Sequence, residues 1–305
     1  MIEQQQLFQE VKSRLVRQNI PVAEQEPLAG HTSFRIGGPA ALFASPETEE
    51  QLCQALAIAA ETGVRRYLLG NGSNVLFADE GFAGLVIHTG KALGQVKAEG
   101  EMVEAQAGAG LQQVCRAARD AGLAGLEFAY GIPGSVGGAV YMNAGAYGGE
   151  MKDVLAEVVC ADEKGQLHTM PADWLELGYR TSCLERNGWC LVRARLRLHP
   201  GDKEAISAAM EDYMGRRRDK QPLDKPSAGS AFKRPVGAFA SALIDQCGLK
   251  GYRVGGAAIS EKHAGFIVNL GGASCADVLA VAEDVSRIVK EKTGFVLEKE
   301  IRVVR

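Results

Sequence analysis

Residues 131–139 read GIPGSVGGA, and residues 143–148 continue the chain as NAGAYG. Because glycine has no side chain, a run of this kind allows a flat or extended ligand to lie directly against the backbone. A solvated surface loop is the alternative, but Val136, Tyr141 and Met142 are too apolar for such a linker. The segment therefore predicts a ligand-binding loop that is built mainly from backbone.

A second glycine-rich loop, residues 70–74 (GNGSN), directly follows a predicted strand at residues 67–69. Backbone N–H groups in such a loop can cradle a pyrophosphate, with Ser73 and Asn74 adding side-chain hydrogen bonds. The third glycine of a dinucleotide-binding fingerprint is missing, and no P-loop occurs in the sequence. When this loop is read alone, an ordinary tight turn remains the simpler interpretation.

Length and composition set the class of protein. The 305 residues exceed one average domain, and 46% of them are hydrophobic, which supplies core material for two or three compact units. The formal net charge is only −3, and the basic cluster at residues 216–218 follows an amphipathic run, so nucleic acid is not an expected partner. No uncharged apolar run approaches the roughly 18 residues of a membrane helix, and the N-terminus lacks the features of a secretory signal.

The seven cysteines show no CxxC or metal-type spacing. This pattern predicts reduced, mostly buried thiols in a cytoplasmic protein, and it predicts no metal site.

Helices and strands alternate without a regular βαβ repeat, which predicts an α+β fold. Helices are predicted, from periodicity and end signals, at residues 5–18, 46–62, 110–121, 239–247 and 274–292, with one more after residue 201. Strands are predicted at residues 67–69, 84–88, 102–107, 154–161, 190–198, 265–269 and 299–304. Ser274 with Asp277 indicates a capping box, and Gly294 indicates the end of the same helix. A domain boundary is expected near residues 200–225.

Three short segments carry possible reactive groups, namely Arg180 in YRTS, Ser230 in PSAGSAFK and Glu300 in LEKEIR. Taken one at a time, they have simpler interpretations: Arg180 as a surface cation, Ser230 as a turn residue and Glu300 as an outward residue of an alternating strand. No Ser-His-Asp order, nucleophile elbow or zinc signature competes with them.

Seven motifs in order and spacing resemble those of the UDP-N-acetylenolpyruvoylglucosamine reductases, a bacterial enzyme family. These motifs are GNGSN, GIPGSVGGAVYMNAGAYG, YRTS, PSAGSAFKRP, GLKGYRVGGA, EKHAGFIVN and LEKEIRVV, which cover about Thr32 to Val304. The chain is similar to the shorter second type, because Ser182 is followed almost directly by the predicted strand and leaves no room for the inserted loop with which the longer type closes a tyrosine over substrate. Arg234 stands where the longer type has asparagine.

The resemblance implies a two-lobed FAD-binding domain of the vanillyl-alcohol-oxidase (PCMH) type at residues 1–200, split near residues 90–100, and an α+β substrate-binding domain at residues 201–305. It implies non-covalent FAD, NADPH as reductant, and the reduction of UDP-N-acetylglucosamine enolpyruvate to UDP-N-acetylmuramate in peptidoglycan-precursor synthesis. Further expectations are a cytoplasmic location and links to cell-wall biogenesis, cell shape, the cell cycle and cell division. The expected partners are small molecules, with no membrane insertion and no obligatory protein partner.

The resemblance also implies roles for individual residues. Hydride adds to the vinyl carbon, so charge accumulates beside the carboxylate and calls for a cation and hydrogen-bond donors there. Arg180 and Glu300 are expected to supply these, Glu300 as a neutral donor with a raised pKa, and Ser230 is expected to protonate the carbanion with help from Lys233. The expected substrate-binding residues are Lys233, Lys262 and His263, and no metal ligand is expected. The expected cofactor-binding residues are Leu69, Gly70, Asn71, Gly72, Ser73, Asn74, Gly131, Ile132, Pro133, Gly134, Ser135, Gly138, Ala139, Asn143 and Gly145.

Two alternatives stay open on the sequence alone. Another flavoenzyme, such as an alcohol or sugar oxidase, would share the glycine loops but not the combination of Arg180, Ser230 and Glu300. A catalytically silent nucleotide-binding protein would hold a phosphate without redox turnover. Flavin absorbance that NADPH bleaches would distinguish an enzyme from the silent protein.

Overall fold

A computed structural model describes residues 2–305 of the chain. Residues 2–305 form eight α-helices, which are α1 Ile2–Arg17, α2 Glu49–Thr62, α3 Leu111–Asp120, α4 Val136–Tyr141, α5 Leu184–Asn187, α6 Lys203–Lys220, α7 Ala240–Gln246 and α8 Cys275–Thr293.

The strands of the first 200 residues are β1 Val22–Pro27, β2 Pro39–Ala44, β3 Arg66–Leu69, β4 Val75–Phe77, β5 Phe82–His88, β6 Val96–Glu99, β7 Met102–Gln106, β8 Leu123–Ala124, β9 Gly145–Ala146, β10 Gly149–Glu150, β11 Leu155–Ala161, β12 Leu167–Pro171, β13 Cys190–Arg197 and β14 His199–Pro200. The remaining strands are β15 Ser227–Ser230, β16 Arg253–Val254, β17 Ala257–Ile259, β18 Phe266–Asn269 and β19 Arg302–Val304. This mixture confirms the predicted α+β class.

The chain divides into two compact units, each built from separate stretches of sequence. Unit 1 comprises the chain up to Gln25 and residues 41–71 and 83–216, and unit 2 comprises residues 26–40, 72–82 and 217–305. The GNGSN loop is therefore divided after Asn71, which belongs to unit 1, while Gly72 opens a stretch of unit 2.

Unit 1 is organised around a five-stranded antiparallel sheet of order β12-β11-β13-β7-β6. The alternation of β13 explains its place in the middle of this sheet, since Ala194 and Leu196 are fully buried and the residue between them, Arg195, is exposed. Arg195 pairs across the sheet with Glu104 on β7 (2.9 Å) and Glu157 on β11 (3.3 Å). Such cross-strand charge pairs add a small stabilisation to a register that the buried face of the sheet sets.

A second sheet has the strand order β1-β2-β5-β3, in which β3 and β5 run parallel. The helix α2 buries Leu52, Ala55, Leu56 and Ala59, the helical spacing that its sequence predicts. The side chain of Thr48 accepts a hydrogen bond from the first turn of α2, and this helix begins at Glu49 rather than at residue 46.

Unit 2 contains the antiparallel sheet β15-β18-β17-β16, the parallel pair β19-β4 and the helices α7 and α8. The helix α8 buries Val278, Val281, Val285 and Val289 in the core of this unit. The predicted capping box of Ser274 and Asp277 is confirmed, as is the left-handed glycine that ends the helix, Gly294 (φ 78°).

The last strand is shorter than the sequence predicts, because it begins at Arg302 and not at residue 299. Lys299 instead forms an isolated bridge with Phe232, and the N–H of Glu300 donates to the carbonyl of Ala231 (2.9 Å). Residues 299 and 300 therefore pair with residues 231 and 232, and the chain then joins β4 as the strand β19.

All seven cysteines are free thiols, and we expect the six buried ones to resist modification in the native protein. Burial raises the pKa of Cys160 and Cys190 to about 12, and it is the largest cause that raises the pKa of Cys275 to about 11. The thiolate is the reactive form, so a shift from the ordinary value of 9.0 to about 12 lowers its population about 10³-fold at neutral pH. Ellman's reagent should react first with the partly exposed Cys53 and reach all seven thiols only after unfolding. Fast reaction of all seven in the native protein would contradict this picture.

Candidate active site

The two glycine-rich loops meet inside unit 1 at Gly70 and Ser135. A Cβ atom on Gly70 would lie 2.5 Å from Oγ of Ser135, closer than real Cβ atoms come to other heavy atoms. The end of β3 is fixed beside this point, because N–H and Oγ1 of Thr89 both donate to the carbonyl of Leu69 (2.9 and 3.3 Å). A side chain at residue 70 would therefore displace the hydroxyl of Ser135, so glycine allows the two loops to approach each other as they do.

The GIPGSVGGA loop is held on the segment that leads into α3. The carbonyl of Gly134 accepts from Leu111 N–H (3.0 Å), and the N–H groups of Val136 and Gly137 donate to the carbonyls of Ala109 (2.9 Å) and Ala107 (2.8 Å). Ser135, which is buried, closes the start of α4 by accepting from the N–H of Gly138. The loop thus presents a fixed stretch of backbone.

Gly72 and Asn74, the later part of the GNGSN loop, make contacts within unit 2. Gly72 has a left-handed φ of 59°, and a Cβ there would overlap the carbonyl oxygen of His31. The amide of Asn74 donates to the carbonyl of Glu300 (3.2 Å), and Arg302 N–H donates back to the carbonyl of Asn74 (3.0 Å). The glycine is therefore needed for a close backbone approach, and Asn74 holds the segment that carries Glu300 and leads into β19.

Arg180 lies in a tight turn of unit 1, which we call the Arg180 turn (residues 178–181). The N–H of Gly178 donates to the carbonyl of Thr181 (3.2 Å), and Thr181 N–H donates back (3.4 Å). Arg180 has a φ of 56°, and its guanidinium carbon lies 5.2 Å from the ring centroid of Tyr179. Residues other than glycine are uncommon in this conformation and tend to occur at functional sites.

Ser230 and Glu300 are brought together in unit 2, although they are far apart in sequence. Ser230 ends β15 and is exposed, and the next residue, Ala231, is buried. The carbonyl of Ala231 accepts from Glu300 N–H (2.9 Å), and Lys233 N–H donates to the carbonyl of Glu298 (2.8 Å). Two short segments, 230–233 and 298–300, therefore run side by side.

The side chains of the three predicted substrate-binding residues have partners within the protein. The Lys233 ammonium lies 3.4 Å from the Glu298 carboxylate, and the Lys262 ammonium donates to the carbonyl of Arg218 near the end of α6 (2.6 Å). Nδ1 of His263 accepts from Gly265 N–H (3.1 Å), and burial lowers the pKa of this imidazole. Burial therefore favours the neutral form of the His263 imidazole.

Sequence reasoning missed the role of Asp79. Its two carboxylate oxygens accept from the N–H groups of Cys275 (2.8 Å) and Ala276 (3.2 Å) at the start of α8. An acidic residue close to a helix N-terminus in sequence is a recognisable signal, but Asp79 reaches α8 from almost 200 positions away.

Within residues 2–305, no helix combines the length and the apolar character that crossing a membrane requires. The same part of the chain contains no group of three His, Cys, Asp or Glu side chains that could hold a metal ion.

Comparison with known proteins adds two domain matches. Residues 40–171 match the family described as FAD binding domain, and residues 221–304 match the family described as UDP-N-acetylenolpyruvoylglucosamine reductase, C-terminal domain. Arg180 falls in the stretch that neither match covers.

Whole-chain relatives carry the same name as the second match. A UDP-N-acetylenolpyruvoylglucosamine reductase from Geobacillus kaustophilus is 49% identical over 93% of this chain and 93% of its own length. One from Clostridium perfringens is 45% identical over the same shares. A crystal structure of the reductase of this name from Thermus caldophilus superposes with a TM-score of 0.80 at 39% identity, covering 94% of this chain and 99% of that one.

The α+β fold, the two backbone loops and the FAD-binding match define an FAD-dependent oxidoreductase. The chain belongs to the UDP-N-acetylenolpyruvoylglucosamine reductase family. The resemblance inferred from the seven motifs is thereby confirmed, and both alternative classes are set aside.

The residues present fit an FAD. The two loops are rich in small residues and approach each other at Gly70 and Ser135, and the hydrogen bonds of residues 134–137 to residues 107–111 fix the backbone of one of them. A fixed glycine-rich backbone is suited to a pyrophosphate, and small residues are suited to a flat ring.

We expect Gly70→Val to lower the FAD content of the purified protein, because the new side chain must displace Ser135 and with it the start of α4. Gly215→Ala is the matched control, since a Cβ at this helical glycine of unit 1 meets nothing within 4 Å. Flavin absorbance per polypeptide after gel filtration is the measurement. Equal flavin content in both variants would show that the meeting of the two loops does not matter for the cofactor.

Proposed function

We propose that this chain reduces UDP-N-acetylglucosamine enolpyruvate to UDP-N-acetylmuramate with Arg180, Ser230 and Glu300 as the groups that act on the substrate. The enzyme is FAD-dependent and uses NADPH, and the reaction is a step of peptidoglycan-precursor synthesis. The observation that carries the choice of Ser230 and Glu300 is the pairing of segments 230–233 and 298–300 through Ala231 and Glu300, and the left-handed φ of Arg180 supports the choice of that residue.

Bound FAD, once reduced by NADPH, supplies the hydride that no side chain can supply. The residues that would hold it are those of the GNGSN loop with Leu69, the GIPGSVGGA loop, and Asn143 and Gly145. Their contribution is to fix the position of the flavin relative to the substrate and to leave its ring accessible.

The enolpyruvyl group becomes a carbanion beside a carboxylate when its vinyl carbon is reduced, so two needs arise on the substrate. The first is a positive charge and hydrogen-bond donors near the carboxylate, which Arg180 and Glu300 are proposed to supply. Glu300 can donate only when protonated, so the proposal requires that its pKa is raised in the substrate complex.

The second need is a proton on the carbon next to the carboxylate, which Ser230 is proposed to deliver. A serine hydroxyl is a weak acid and needs a nearby cation or donor chain to act in this way. Lys233 follows Ser230 by three residues, and its backbone N–H is held by the carbonyl of Glu298. Its ammonium group is therefore proposed to supply the cation that Ser230 needs and to contact the substrate. Lys262 and His263 are proposed as further substrate contacts.

The domain roles and the location also belong to the proposal. Residues 1–200 are proposed to bind FAD, in two lobes divided near residues 90–100, and residues 201–305 to bind the sugar nucleotide; α6 starts on the substrate side of this boundary, although unit 1 extends to Arg216. A cytoplasmic location is proposed because UDP-sugars and NADPH are available there, and it agrees with seven free thiols. Through the cell wall, the enzyme is proposed to serve cell shape, the cell cycle and division.

NADPH oxidation by the purified protein, followed with and without UDP-N-acetylglucosamine enolpyruvate, tests the proposed reaction. We expect NADPH oxidation to depend on the sugar nucleotide and to yield one UDP-N-acetylmuramate per NADPH oxidised. Oxidation that is unaffected by the sugar nucleotide, with hydrogen peroxide as the only product, would overturn it in favour of an oxidase.

A further inference from the structure

Asn143 is a fully buried polar residue whose side chain reaches the first residue of the Arg180 turn. Its Nδ2 donates to the carbonyl of Gly178 (3.1 Å) and to the carboxylate of Glu150 (2.7 Å), and its Oδ1 accepts from Lys152 N–H (3.0 Å). Both amide hydrogens are therefore committed within the protein. The side chain has no donor left for a ligand.

Ser182 anchors the other side of the Arg180 turn. This residue is also fully buried, and its hydroxyl donates to the carbonyl of Tyr141 (2.8 Å). Tyr141 is the last residue of α4, and Asn143 follows it by two positions. Both anchors thus bind the turn to the same end of one helix.

The other end of α4 is the GIPGSVGGA loop, where Ser135 caps the helix. The helix α4 has only 6 residues and acts as a short rigid connector. Because Asn143 and Ser182 tie the Arg180 turn to its C-terminal end, they fix this turn relative to the loop at its N-terminal end. The turn needs such support because Arg180 has a φ of 56°, a backbone conformation that is unfavourable for residues other than glycine. Asn143 has a positive φ of 40° as well, and asparagine is among the residues that tolerate this region best.

We propose that Asn143 and Ser182 are positioning residues that hold Arg180 in register with the GIPGSVGGA loop. They act on the substrate only through Arg180, and the inference rests on the role proposed for that arginine. Asn143 is then part of the cofactor region by its backbone, while its amide serves the turn.

Ser182→Ala tests the anchor with the smallest change of shape. We expect the oxidation of reduced enzyme by UDP-N-acetylglucosamine enolpyruvate to slow about 10- to 10²-fold, the scale of a displacement of about 1 Å of a catalytic group. Flavin content and the rate of flavin reduction by NADPH should stay as in the parent protein. Thr62→Val is the matched control, because it also removes a hydroxyl that donates to a backbone carbonyl of unit 1 (2.7 Å) but lies in α2.

Asn143→Gly is the second variant, chosen because glycine keeps the positive φ while the amide is lost. Hydrogen–deuterium exchange provides a readout that is independent of activity. Amides of the peptide that contains residues 178–182 should exchange faster in both variants, while those of β13 should not change. Unchanged exchange in the turn of both variants would overturn the proposal.

The decisive comparison repeats Ser182→Ala and Asn143→Gly in an Arg180→Ala background. If the anchors act through Arg180, they should cost no further rate once the guanidinium is gone, because coupled residues are not additive. If the two substitutions lower the rate by the same factor with and without Arg180, Asn143 and Ser182 have a merely structural role. This result would overturn the inference and leave the role proposed for Arg180 intact. An Arg180→Ala variant that itself reacts at the parent rate would instead reject the role proposed for Arg180, and with it the reason for the anchors.

Discussion

Ser230→Ala is expected to lower turnover by about 10²- to 10⁴-fold, the usual scale for removing a positioned general acid. The loss should fall on the completion of product, while flavin content and flavin reduction by NADPH remain unchanged. The protein frame should survive this substitution, because Ser230 is exposed and the contacts of its neighbourhood come from the backbone. Ala231 N–H donates to the carbonyl of Gly265 (2.8 Å), and the carbonyl of Ala231 accepts from Glu300.

Ser230→Cys should recover part of the loss, because a thiol occupies the same position and is more acidic than a hydroxyl. Ser227→Ala, in the same strand β15, is the matched control and should react at the parent rate. Single-turnover oxidation of the reduced enzyme in light and heavy water measures all three variants. A Ser230→Ala protein with a near-normal rate and an unchanged solvent isotope effect would remove Ser230 from the mechanism.

Arg180→Ala is expected to slow the reduction of the enolpyruvyl substrate by about 10²- to 10³-fold, the cost of losing one charge-stabilising group. Glu300→Gln is expected to slow the same step, because an amide N–H is a weaker and far less acidic donor than a protonated carboxyl group. Flavin reduction by NADPH should change little, since it develops no charge on the substrate carboxylate. The backbone of Glu300 is fixed by Ala231 and by the amide of Asn74, so the change to glutamine alters only the side-chain head group.

Stopped-flow measurement of the two half-reactions separates this effect from a general defect. Arg186→Ala is the control for Arg180. Arg186 lies a few residues after Arg180, and the substitution removes an exposed guanidinium that is paired with Glu176. Slowing of both half-reactions by the same factor in Glu300→Gln and Arg180→Ala would contradict the assigned roles.

Much of the fold can be predicted from local sequence signals. The ends of α8 are an example, since Ser274, Asp277 and Gly294 are read directly from capping chemistry. The periodicity of α2 and the alternation of β13 are similarly local. These features depend on residues within a few positions of each other, so one sequence is sufficient to recognise them.

The remaining features depend on contacts between distant residues. Gly72 reads as a ligand-binding glycine, but its φ of 59° and the carbonyl of His31 already require the absence of a side chain there. The strand predicted from residue 299 begins at Arg302, because residues 299 and 300 have Phe232 and Ala231 as their backbone partners. Periodicity carries no information about which distant segment will compete for a hydrogen bond.

The site shows the same division. The motifs locate Arg180, Ser230 and Glu300, but nothing local indicates that Asn143 reaches Gly178 or that Asn74 reaches Glu300. A buried asparagine in a glycine-rich segment suits a cofactor contact as well as a structural one. Only the list of its hydrogen-bond partners distinguishes these interpretations.

One anaerobic mixing experiment tests the proposed reaction most directly. The protein is reduced with one equivalent of NADPH, freed of nucleotide, and mixed with UDP-N-acetylglucosamine enolpyruvate while flavin absorbance and product are followed together. We expect the absorbance of oxidised flavin to return in a single turnover and one UDP-N-acetylmuramate to form per flavin. A flavin that stays reduced in the presence of the sugar nucleotide, yet is reoxidised when oxygen is admitted, would contradict it.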